Sequence, residues 1–235
     1  TIILKDISFC IDSGEIVTVL GGSGCGKSTL LKGMIGLLPP MEGSIYVHGQ
    51  RVSGEESREG LKNARKDFGV LFQSGALIGS LTVAENVALP IVEFSRAPEV
   101  IIEDIVHLKL EMVKLGEYGN YLPAELSGGM KKRAALARAM ALDPKILFCD
   151  EPSSGLDPIT SAEMDQMLLD LNSSLGITMV VITHDLPSIR TISDRSIMLD
   201  REARGIIAVG SPSDLEKSPD RRVSSFFHRV PTRES

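Results

Sequence analysis

Short apolar runs alternate with longer amphipathic segments along most of the chain. The apolar runs are rich in β-branched residues, which favours strands, and the amphipathic segments have the spacing of helices with one buried face. Strands are predicted at residues 15–20, 44–47, 68–72, 146–149, 178–182, 196–199 and 206–209, after strand-like alternation at residues 1–11. Helices are predicted at residues 29–38, 98–115, 130–142 and 159–175. Strands alternating with helices predict an α/β fold with a mostly parallel core sheet.

One stretch departs from this alternation. Residues 75–142 contain helical segments and no convincing strand. We therefore expect an inserted α-helical subdomain there, within an α/β core formed by residues 1–74 and 143–235. Because 235 residues can bury one core with a small lobe, residues 1–235 are interpreted as a single domain. Polar residues 53–60 are predicted to form a surface loop, and residues 219–235 a C-terminal tail.

The amino-acid composition argues against several classes of function. The formal net charge of −6 argues against nucleic acid as a partner, because phosphate backbones are bound by clustered Lys and Arg. Cys10, Cys25 and Cys149 form no CxxC pair, which indicates a reducing, cytosolic compartment and offers no zinc site. No segment has the ~18–20 apolar residues that a spanning helix needs. Any membrane component is therefore expected to be a separate protein.

The segment GGSGCGKS, residues 21–28, lies between a predicted strand and a predicted helix. It matches the G-x-x-x-x-G-K-[ST] phosphate loop, whose backbone N–H groups and following helix N-terminus surround a phosphate. Lys27 would reach the β- and γ-phosphates, and the Ser28 hydroxyl would bind Mg²⁺. GTPases, kinases and ATPases share such a loop, and its variable Cys25 is interpreted as a small tolerated residue rather than a redox site. The predicted nucleotide contacts are Gly21, Gly22, Ser23, Gly24, Cys25, Gly26, Lys27, Ser28 and Thr29.

Three further predicted strands end in polar residues that would meet at one edge of the sheet. In ILFCDEP, residues 146–152, Asp150 would hold Mg²⁺ and Glu151 would polarise the attacking water; an exposed loop is the alternative. His184 in ITHDL would lie beside Glu151 and bind a γ-phosphate oxygen, or else be a structural histidine. Gln73 in LFQSG would reach the metal or its water, or else be an ordinary strand-terminal residue. Glu151, His184 and Gln73 are thus the catalytic candidates, and Ser28, Gln73 and Asp150 the metal-binding candidates.

The segment LSGGMKKRAALARAM, residues 126–140, places a serine and two glycines before a basic helix. Ser127, Gly128 and Gly129 would offer free backbone N–H groups, a hydroxyl and the positive end of the helix dipole. These groups bind anions without any acid or nucleophile. A simple serine N-cap followed by a glycine turn explains the same pattern equally well.

Together these motifs resemble the ATPases of ABC transporters. The resemblance rests on residues 21–28, Gln73, LSGG at 126–129, ILFCDE at 146–151, SGLD at 154–157 and His184, in that order. It implies a P-loop NTPase of ABC type, with an antiparallel β subdomain beside the core sheet and the inserted helical one. It also implies a head-to-tail homodimer around two ATP and Mg²⁺, in which Ser127–Gly129 of one subunit face the ATP of the other and Asp157 crosses the interface. The adenine-stacking aromatic of the family is expected upstream of Thr1.

Met130 stands where the family usually has glutamine, and it narrows the resemblance to the ATPases of MCE-type lipid transport systems such as the Mla pathway. The stretches at 70–90, 171–186 and 218–227 agree, while Ile78 replaces a frequent aromatic. This resemblance implies phospholipid transport with an integral-membrane permease, an MCE-domain protein and in some systems a small STAS-domain protein. The implied location is the cytoplasmic face of the inner membrane, with a plastid location as the alternative.

Several alternatives stay open on the sequence. Residues 75–94 would form a groove for a permease helix, or simply the core of the helical lobe. The basic tail, with Arg221, Arg222, Arg229 and Arg233, would contact a partner subunit or anionic lipid, or be a solvated terminus. The alternative functions are another ABC transporter, for amino acids, ions or lipoproteins, or a soluble ABC ATPase acting on ribosomes or DNA.

Overall fold

A computed structural model of the protein describes residues 2–53 and 58–230. Eight strands are present in this part of the chain: β1 (Ile16–Leu20), β2 (Tyr46–Val47), β3 (Gln50–Arg51), β4 (Phe68–Leu71), β5 (Ile146–Asp150), β6 (Thr178–Ile182), β7 (Arg195–Asp200) and β8 (Gly205–Gly210). The helices are α1 (Lys27–Met34), α2 (Arg58–Ala64), α3 (Val83–Phe94), α4 (Glu99–Met112), α5 (Gly128–Ala139), α6 (Pro158–Leu175), α7 (Leu186–Ile192), α8 (Pro212–Glu216) and α9 (Arg221–His228).

Six strands form the core sheet in the order β4-β5-β6-β1-β7-β8. All neighbouring pairs are parallel except β7 and β8, which pair antiparallel at one edge. Both β1 and β6 are buried along their whole length, because helices cover both faces of the sheet. The predicted α/β fold with a mostly parallel sheet is therefore confirmed. Every strand predicted from residue 15 onward is present, with ends shifted by at most two residues.

The two faces of the sheet support two apolar clusters. On one face Val19, Phe148 and Ile182 pack against Leu31 and Ile35 at the α1 segment. On the other face, Leu71, Leu147 and Met179 share a cluster with apolar residues of α3, α4, α5 and α6, including Val87, Leu110, Leu136 and Leu168. The helical subdomain is thus continuous with the sheet's own core, which fixes α5 relative to the carboxyl edge of the strands.

Within the helical lobe, α3 was not delineated from the sequence. Apolar residues are frequent along it, and Pro90, a residue normally disfavoured inside a helix, lies within it. A capping box starts it: Glu85 N–H donates to Thr82 Oγ1 at 3.1 Å, and Thr82 N–H donates to Glu85 Oε2 at 2.6 Å. Helix α5 begins two residues before its predicted start because Ser127 caps it.

Two expectations outside the core sheet need correction, and a third is confirmed. Residues 2–12 are not a strand: Lys5 N–H donates to Arg204 O at 2.8 Å, but this bond is not part of a ladder between paired strands. The predicted loop at 53–60 enters α2 at Arg58, and residues 54–57 lie outside the described part of the chain. The expected antiparallel β subdomain is present, among the described residues, as the short pair β2 and β3.

The C-terminal tail, for which a solvated terminus is one of the alternatives from the sequence, is folded as far as it is described. Val223 and Phe227 of α9 are 0% and 2% exposed and pack with Leu20, Leu186 and Met198. Arg222 pairs with Asp200 at 3.3 Å and Asp220 at 2.7 Å, whereas Arg221 and Arg229 are exposed and Arg233 lies outside the described residues. Among the described residues, no helix is both long enough and apolar enough to span a bilayer.

Candidate functional site

Four strands deliver the predicted site residues to the same edge of the sheet. Because β1, β4, β5 and β6 are parallel, the segments after their carboxyl ends meet there. Gly21 follows β1, Gln73 follows β4, Glu151 follows β5 and His184 follows β6. Strand β6 lies between β1 and β5, so His184 lies between the glycine-rich loop and the two acids.

The loop at 21–26 requires glycine at several positions. Gly21, Gly24 and Gly26 have φ of 141°, 75° and 104°, in the left-handed region that other residues rarely adopt. A Cβ at Gly21 would also lie 2.6 Å from Cys25 Sγ. Gly26 immediately precedes α1, so the first-turn N–H groups of Lys27, Ser28 and Thr29 point back into the loop. The loop thus combines inward N–H groups with a helix N-terminus, as a phosphate-binding loop requires.

Two side chains of this loop are defined by their contacts. Lys27 Nζ donates to Gly21 O at 2.7 Å and Gly22 O at 3.0 Å, which holds the ammonium across the loop. The Cys25 side chain is buried, so only its backbone faces a ligand, in agreement with a small structural residue at this position. Ser23 and Ser28 are exposed at the mouth of the loop.

Glu151 and His184 are in direct contact. His184 Nδ1 lies 2.7 Å from Glu151 Oε1, with the Glu151 side chain 11% exposed and the His184 side chain 67% exposed. The Glu151 backbone has φ 51°, and its N–H donates to Ile182 O at 2.8 Å. A strained backbone that persists in this way is held by its surroundings. The carboxylate therefore has a fixed position at the mouth of the site, and Nε2 of His184 is available to a ligand.

Asp150 differs electrostatically from its neighbour. Burial, followed by the negative charge of Glu151, raises the pKa of Asp150, while Lys27, Lys132 and Lys32 act in the opposite direction. Two adjacent carboxylates at a half-buried edge favour a bound cation. The described residues contain no cluster of three His, Cys, Asp or Glu arranged to hold a metal. The predicted Mg²⁺ ligands, Ser28, Gln73 and Asp150, are all oxygen donors of the kind Mg²⁺ prefers, and they fit an ion that is completed by phosphate and water.

The second predicted phosphate contact is the start of α5. Ser127 is the N-cap, and its Oγ accepts from Met130 N–H at 3.2 Å. Ser127 and Gly128 are exposed, whereas a Cβ at Gly129 would lie 2.6 Å from Thr160 Cγ2. The structural interpretation of Ser127 as a cap is therefore confirmed, and it leaves the other N–H groups of the first turn facing outward.

Asp157 has a local role that the sequence did not reveal. Its Oδ1 accepts from Ile159 N–H and Thr160 N–H at 3.0 and 3.1 Å, so it is the N-cap of α6. Hydrogen bonds from Thr160 lower the pKa of the exposed Asp157 carboxyl. Among the described residues, no hydrogen bond joins Asp157 or Ser127–Gly129 to the loop at 21–29. The structure therefore assembles one group of predicted residues at the sheet edge, while Leu156 and Pro158, on either side of Asp157, line the same cavity as Glu151 and His184.

Lys132 and Asp165 are buried residues at this site that sequence reasoning missed. Lys132 Nζ donates to the backbone carbonyls of Gln73 and Glu151, and burial lowers the pKa of its ammonium. Asp165 is 4% exposed and lines a cavity of about 500 Å³ that also borders Glu151 and His184. A lysine in a basic helix and an acid in a polar helix look like surface residues until their burial is known.

Comparison with known proteins gives a consistent picture. A family model described as ABC transporter matches residues 4–154. A probable ribonucleotide transport ATP-binding protein, mkl, of Mycobacterium leprae is 46% identical over 226 residues, which are 96% of this chain and 64% of that protein. The intermembrane phospholipid transport system ATP-binding protein MlaF of Escherichia coli K12 is 41% identical over 229 residues, 97% of this chain and 84% of MlaF. The chain thus spans less than two thirds of the length of the mycobacterial relative.

Solved structures match over most of the chain. The ATP-binding cassette MJ0796, in a dimeric post-hydrolysis state bound to ADP and Pi, superposes with a TM-score of 0.80 at 34% identity, covering 89% of this chain and 90% of that one. The cbiO1 protein of Clostridium perfringens, part of the cbiONQ transporter complex, gives a TM-score of 0.82 at 31% identity, covering 97% and 90%.

Proposed function

Because the chain belongs to the ABC transporter ATPase family, we propose that it hydrolyses ATP at the carboxyl edge of its sheet to power a membrane permease. The observation that carries this proposal is the 2.7 Å contact between Glu151 and His184, at the edge where the glycine-rich loop also ends. A fixed carboxylate beside a phosphate cradle is the arrangement needed to activate water for attack on a phosphoryl group.

In this proposal each residue of the chain has one task. The N–H groups of 21–29 and the Lys27 ammonium bind the phosphates and neutralise their charge. Glu151 accepts a proton from the attacking water, and His184 orients the Glu151 carboxylate through Nδ1 while Nε2 faces the γ-phosphate. Ser28, Gln73 and Asp150 would hold Mg²⁺. When bound, Mg²⁺ would neutralise the negative charge of the phosphates.

The complete site is proposed to form between two copies of the chain, arranged head to tail. Ser127, Gly128 and Gly129 would bind the γ-phosphate of the ATP held by the other subunit, and Asp157 would cross the interface. The exposure of Ser127 and Gly128 at a helix N-terminus supports this role, as does the dimeric form of the MJ0796 relative. Capping of α6 by Asp157 is compatible with the interface role, because its side chain stays exposed.

We further propose phospholipid as the cargo. The support is the similarity to MlaF along 84% of its length, together with Met130 and its flanking residues. The expected partners are an integral-membrane permease, an MCE-domain protein and a small STAS-domain protein, at the cytoplasmic face of the inner membrane. The name of the mycobacterial relative supports a second cargo, a ribonucleotide.

The catalytic assignment is tested by Glu151→Gln. The amide cannot accept the water's proton, so we expect ATP turnover to fall by ~10²-fold or more while ATP binding persists. Turnover is measured by phosphate release and binding by calorimetry on the full chain. Wild-type turnover in this variant would remove Glu151 from the mechanism.

The cargo and partners are tested by purification from native membranes in mild detergent. Co-purification of a permease, an MCE-domain protein and bound phospholipid supports the lipid proposal. The second cargo is favoured if the permease co-purifies without lipid and the ATPase rate of the complex rises when a ribonucleotide is added. Association with ribosomes or DNA in place of a permease would contradict both.

A further inference from the structure

Helix α5 carries a buried cation at the centre of the site. Lys132 lies one turn after the exposed start of this helix and is 8% exposed. Its ammonium donates to two backbone carbonyls, that of Gln73 and, at 2.9 Å, that of Glu151. Among the described residues, no carboxylate lies within ion-pairing distance of Lys132. The lysine is therefore buried on two carbonyl groups and not in a salt bridge.

Those two carbonyls belong to segments that need to be held in place. Glu151 has a left-handed backbone, φ 51°, at the end of β5. Gln73 begins the segment that leads from β4 into the helical lobe. A carbonyl that is buried without a donor is costly, so removal of the ammonium would favour rearrangement of both segments.

The same helix holds the Gln73 segment at a second point. Arg138, in the last turn of α5, donates to Gly75 O and Ala76 O at 2.7 Å each. A Cβ at Gly75 would lie 3.3 Å from Ala135 Cβ, so the segment runs close against the helix. Lys132 and Arg138 of α5 thus hold residues 73–76 at both ends. Lys132 also bonds to the Glu151 carbonyl, so it connects the two segments.

We propose that Lys132 is a positioning residue for ATP hydrolysis: by bonding to both carbonyls it fixes the Glu151 carboxylate and the Gln73 segment in their active arrangement. Ser127–Gly129 lie at the exposed start of α5, which is proposed to face the partner's ATP. Lys132 therefore connects this helix to Glu151 and Gln73 of its own subunit. The inference rests on the proposed function, because it assigns Lys132 to the site in which Glu151 acts.

The test compares Lys132→Met, an unbranched side chain that is one atom shorter and has no donors, with Lys132→Arg, which keeps both charge and donors. For Lys132→Met we expect kcat to fall ~30–100-fold, since misplacement of a catalytic group by about 1 Å costs on that scale. KM, and the Kd for a non-hydrolysable ATP analogue measured without Mg²⁺, should stay within about threefold, because the phosphate loop is untouched. Lys132→Arg should recover at least a third of wild-type kcat.

The matched control is Lys109→Met. Lys109 is 3% exposed and pairs with Asp143 at 2.5 Å, so its replacement also removes a buried ammonium, but away from the sheet edge. We expect it to lower the melting temperature and to leave kcat within about twofold of wild type below that temperature.

These measurements distinguish a failure of the proposed Lys132 role from a failure of the proposed ATP hydrolysis. If Glu151→Gln abolishes turnover but Lys132→Met keeps kcat within about twofold of wild type, Lys132 has no positioning role. Equal losses of kcat in Lys132→Met and Lys109→Met would reduce its effect to general destabilisation and overturn the inference. If the wild-type chain and its purified complex hydrolyse no ATP, the proposed function fails first.

Discussion

Asp165 is a buried acid whose two oxygens have different surroundings. Oδ2 accepts from Ser188 Oγ at 2.7 Å, while Oδ1 has no hydrogen-bond partner among the described residues. The same Ser188 hydroxyl lies 3.0 Å from Asp185 Oδ2, so two acids share one donor. Burial in the first place, and the charge of Asp185, raise the pKa of Asp165, and the bond from Ser188 opposes them.

This raised pKa predicts the effect of Asp165→Asn on stability. An acid whose pKa is higher in the folded than in the unfolded state stabilises the fold only below its unfolded pKa, ordinarily 3.8, and that contribution is lost as the pH rises. The neutral amide avoids the loss and still accepts from Ser188. We therefore expect the variant to be about 1 kcal/mol more stable at pH 7, with the gain shrinking toward pH 4.

Urea unfolding of both proteins at pH 7 and at pH 4.5 measures this difference. Asp170→Asn is the control, because Asp170 is exposed on the same helix and its replacement should change stability by less than about 0.5 kcal/mol. A variant that is less stable than wild type at pH 7 would mean that the surroundings of Asp165 stabilise its charged carboxylate.

At the scale of single residues, the sequence identified the groups that belong to local motifs and missed those defined by burial. Glu151 and His184 were predicted to meet because both follow parallel strands, and they do so at 2.7 Å. Lys132 and Asp165 carry no such signal, since a charged residue on an amphipathic helix is normally solvated. Only the packing of α5 against the sheet, and of α6 against α7, shows otherwise.

At the scale of elements, β1 and β7 are joined by an ion pair at their entry ends. Arg195 Nε and Nη2 donate to Glu15 Oε1 and Oε2 at 2.6 and 2.7 Å, and Nη2 also donates to Cys10 O. Both side chains are mostly buried, at 26% and 14% exposed. Such a two-point contact fixes the register of the strand that leads into the glycine-rich loop.

The pair predicts a specific dependence of stability on pH. The hydrogen bond from Arg195 lowers the pKa of Glu15, while burial acts against it. An acid with a lowered folded pKa stabilises the fold above its unfolded pKa, ordinarily 4.5, and that contribution is lost as the pH falls through the folded pKa. Glu15→Gln should therefore cost about 1–2 kcal/mol at pH 7, and the cost should shrink below about pH 4.5.

Denaturant unfolding between pH 7 and pH 3 measures this cost, with Glu42→Gln as the control at an exposed acid. A cost that is the same at pH 7 and at pH 3 would show that the carboxylate's charge contributes nothing, and that the substitution acts through shape alone.

Elements were predictable where one local pattern decides them. Apolar runs buried by helices on both sides gave β1, β5 and β6 within one residue. Residues 2–12 alternate like a strand, but a strand also needs a partner, and pairing is not visible in local sequence. In α9 the apolar residues Val223, Phe226 and Phe227 do have helical spacing, so its buried face could have been recognised.

At the scale of the whole molecule, α5 and α6 begin side by side and present their N-termini to the same surface. Gly129 lies against Thr160 of α6, and Gly128 faces Leu156. This surface holds no hydrogen bond to the glycine-rich loop among the described residues, although the proposed mechanism needs both. In the proposed mechanism a second copy of the chain brings its own α5 N-terminus to the ATP held by this loop.

Gly128→Asp tests this dimer, because the structure tolerates a side chain at that position. A Cβ there would meet only Leu156 Cδ2 at 3.8 Å, an ordinary contact, whereas a Cβ at Gly129 would lie 2.6 Å from Thr160 Cγ2. The new carboxylate would face the partner's γ-phosphate and repel it. In a Glu151→Gln background, which is expected to retain ATP, we therefore expect ATP-dependent dimers without Gly128→Asp and monomers with it.

Analytical ultracentrifugation with and without ATP measures the dimer, and calorimetry shows whether the doubly substituted chain still binds ATP. Binding within about threefold, combined with loss of dimers, locates the defect at the shared interface rather than in the phosphate loop, because the loop lies in the same subunit as its own ATP. Wild-type turnover per chain should accordingly rise with protein concentration and then level off as dimers form. ATP-dependent dimers that survive Gly128→Asp would mean that Gly128 does not face the partner's γ-phosphate. Turnover per chain that is independent of concentration would mean that one copy of the chain is a complete enzyme.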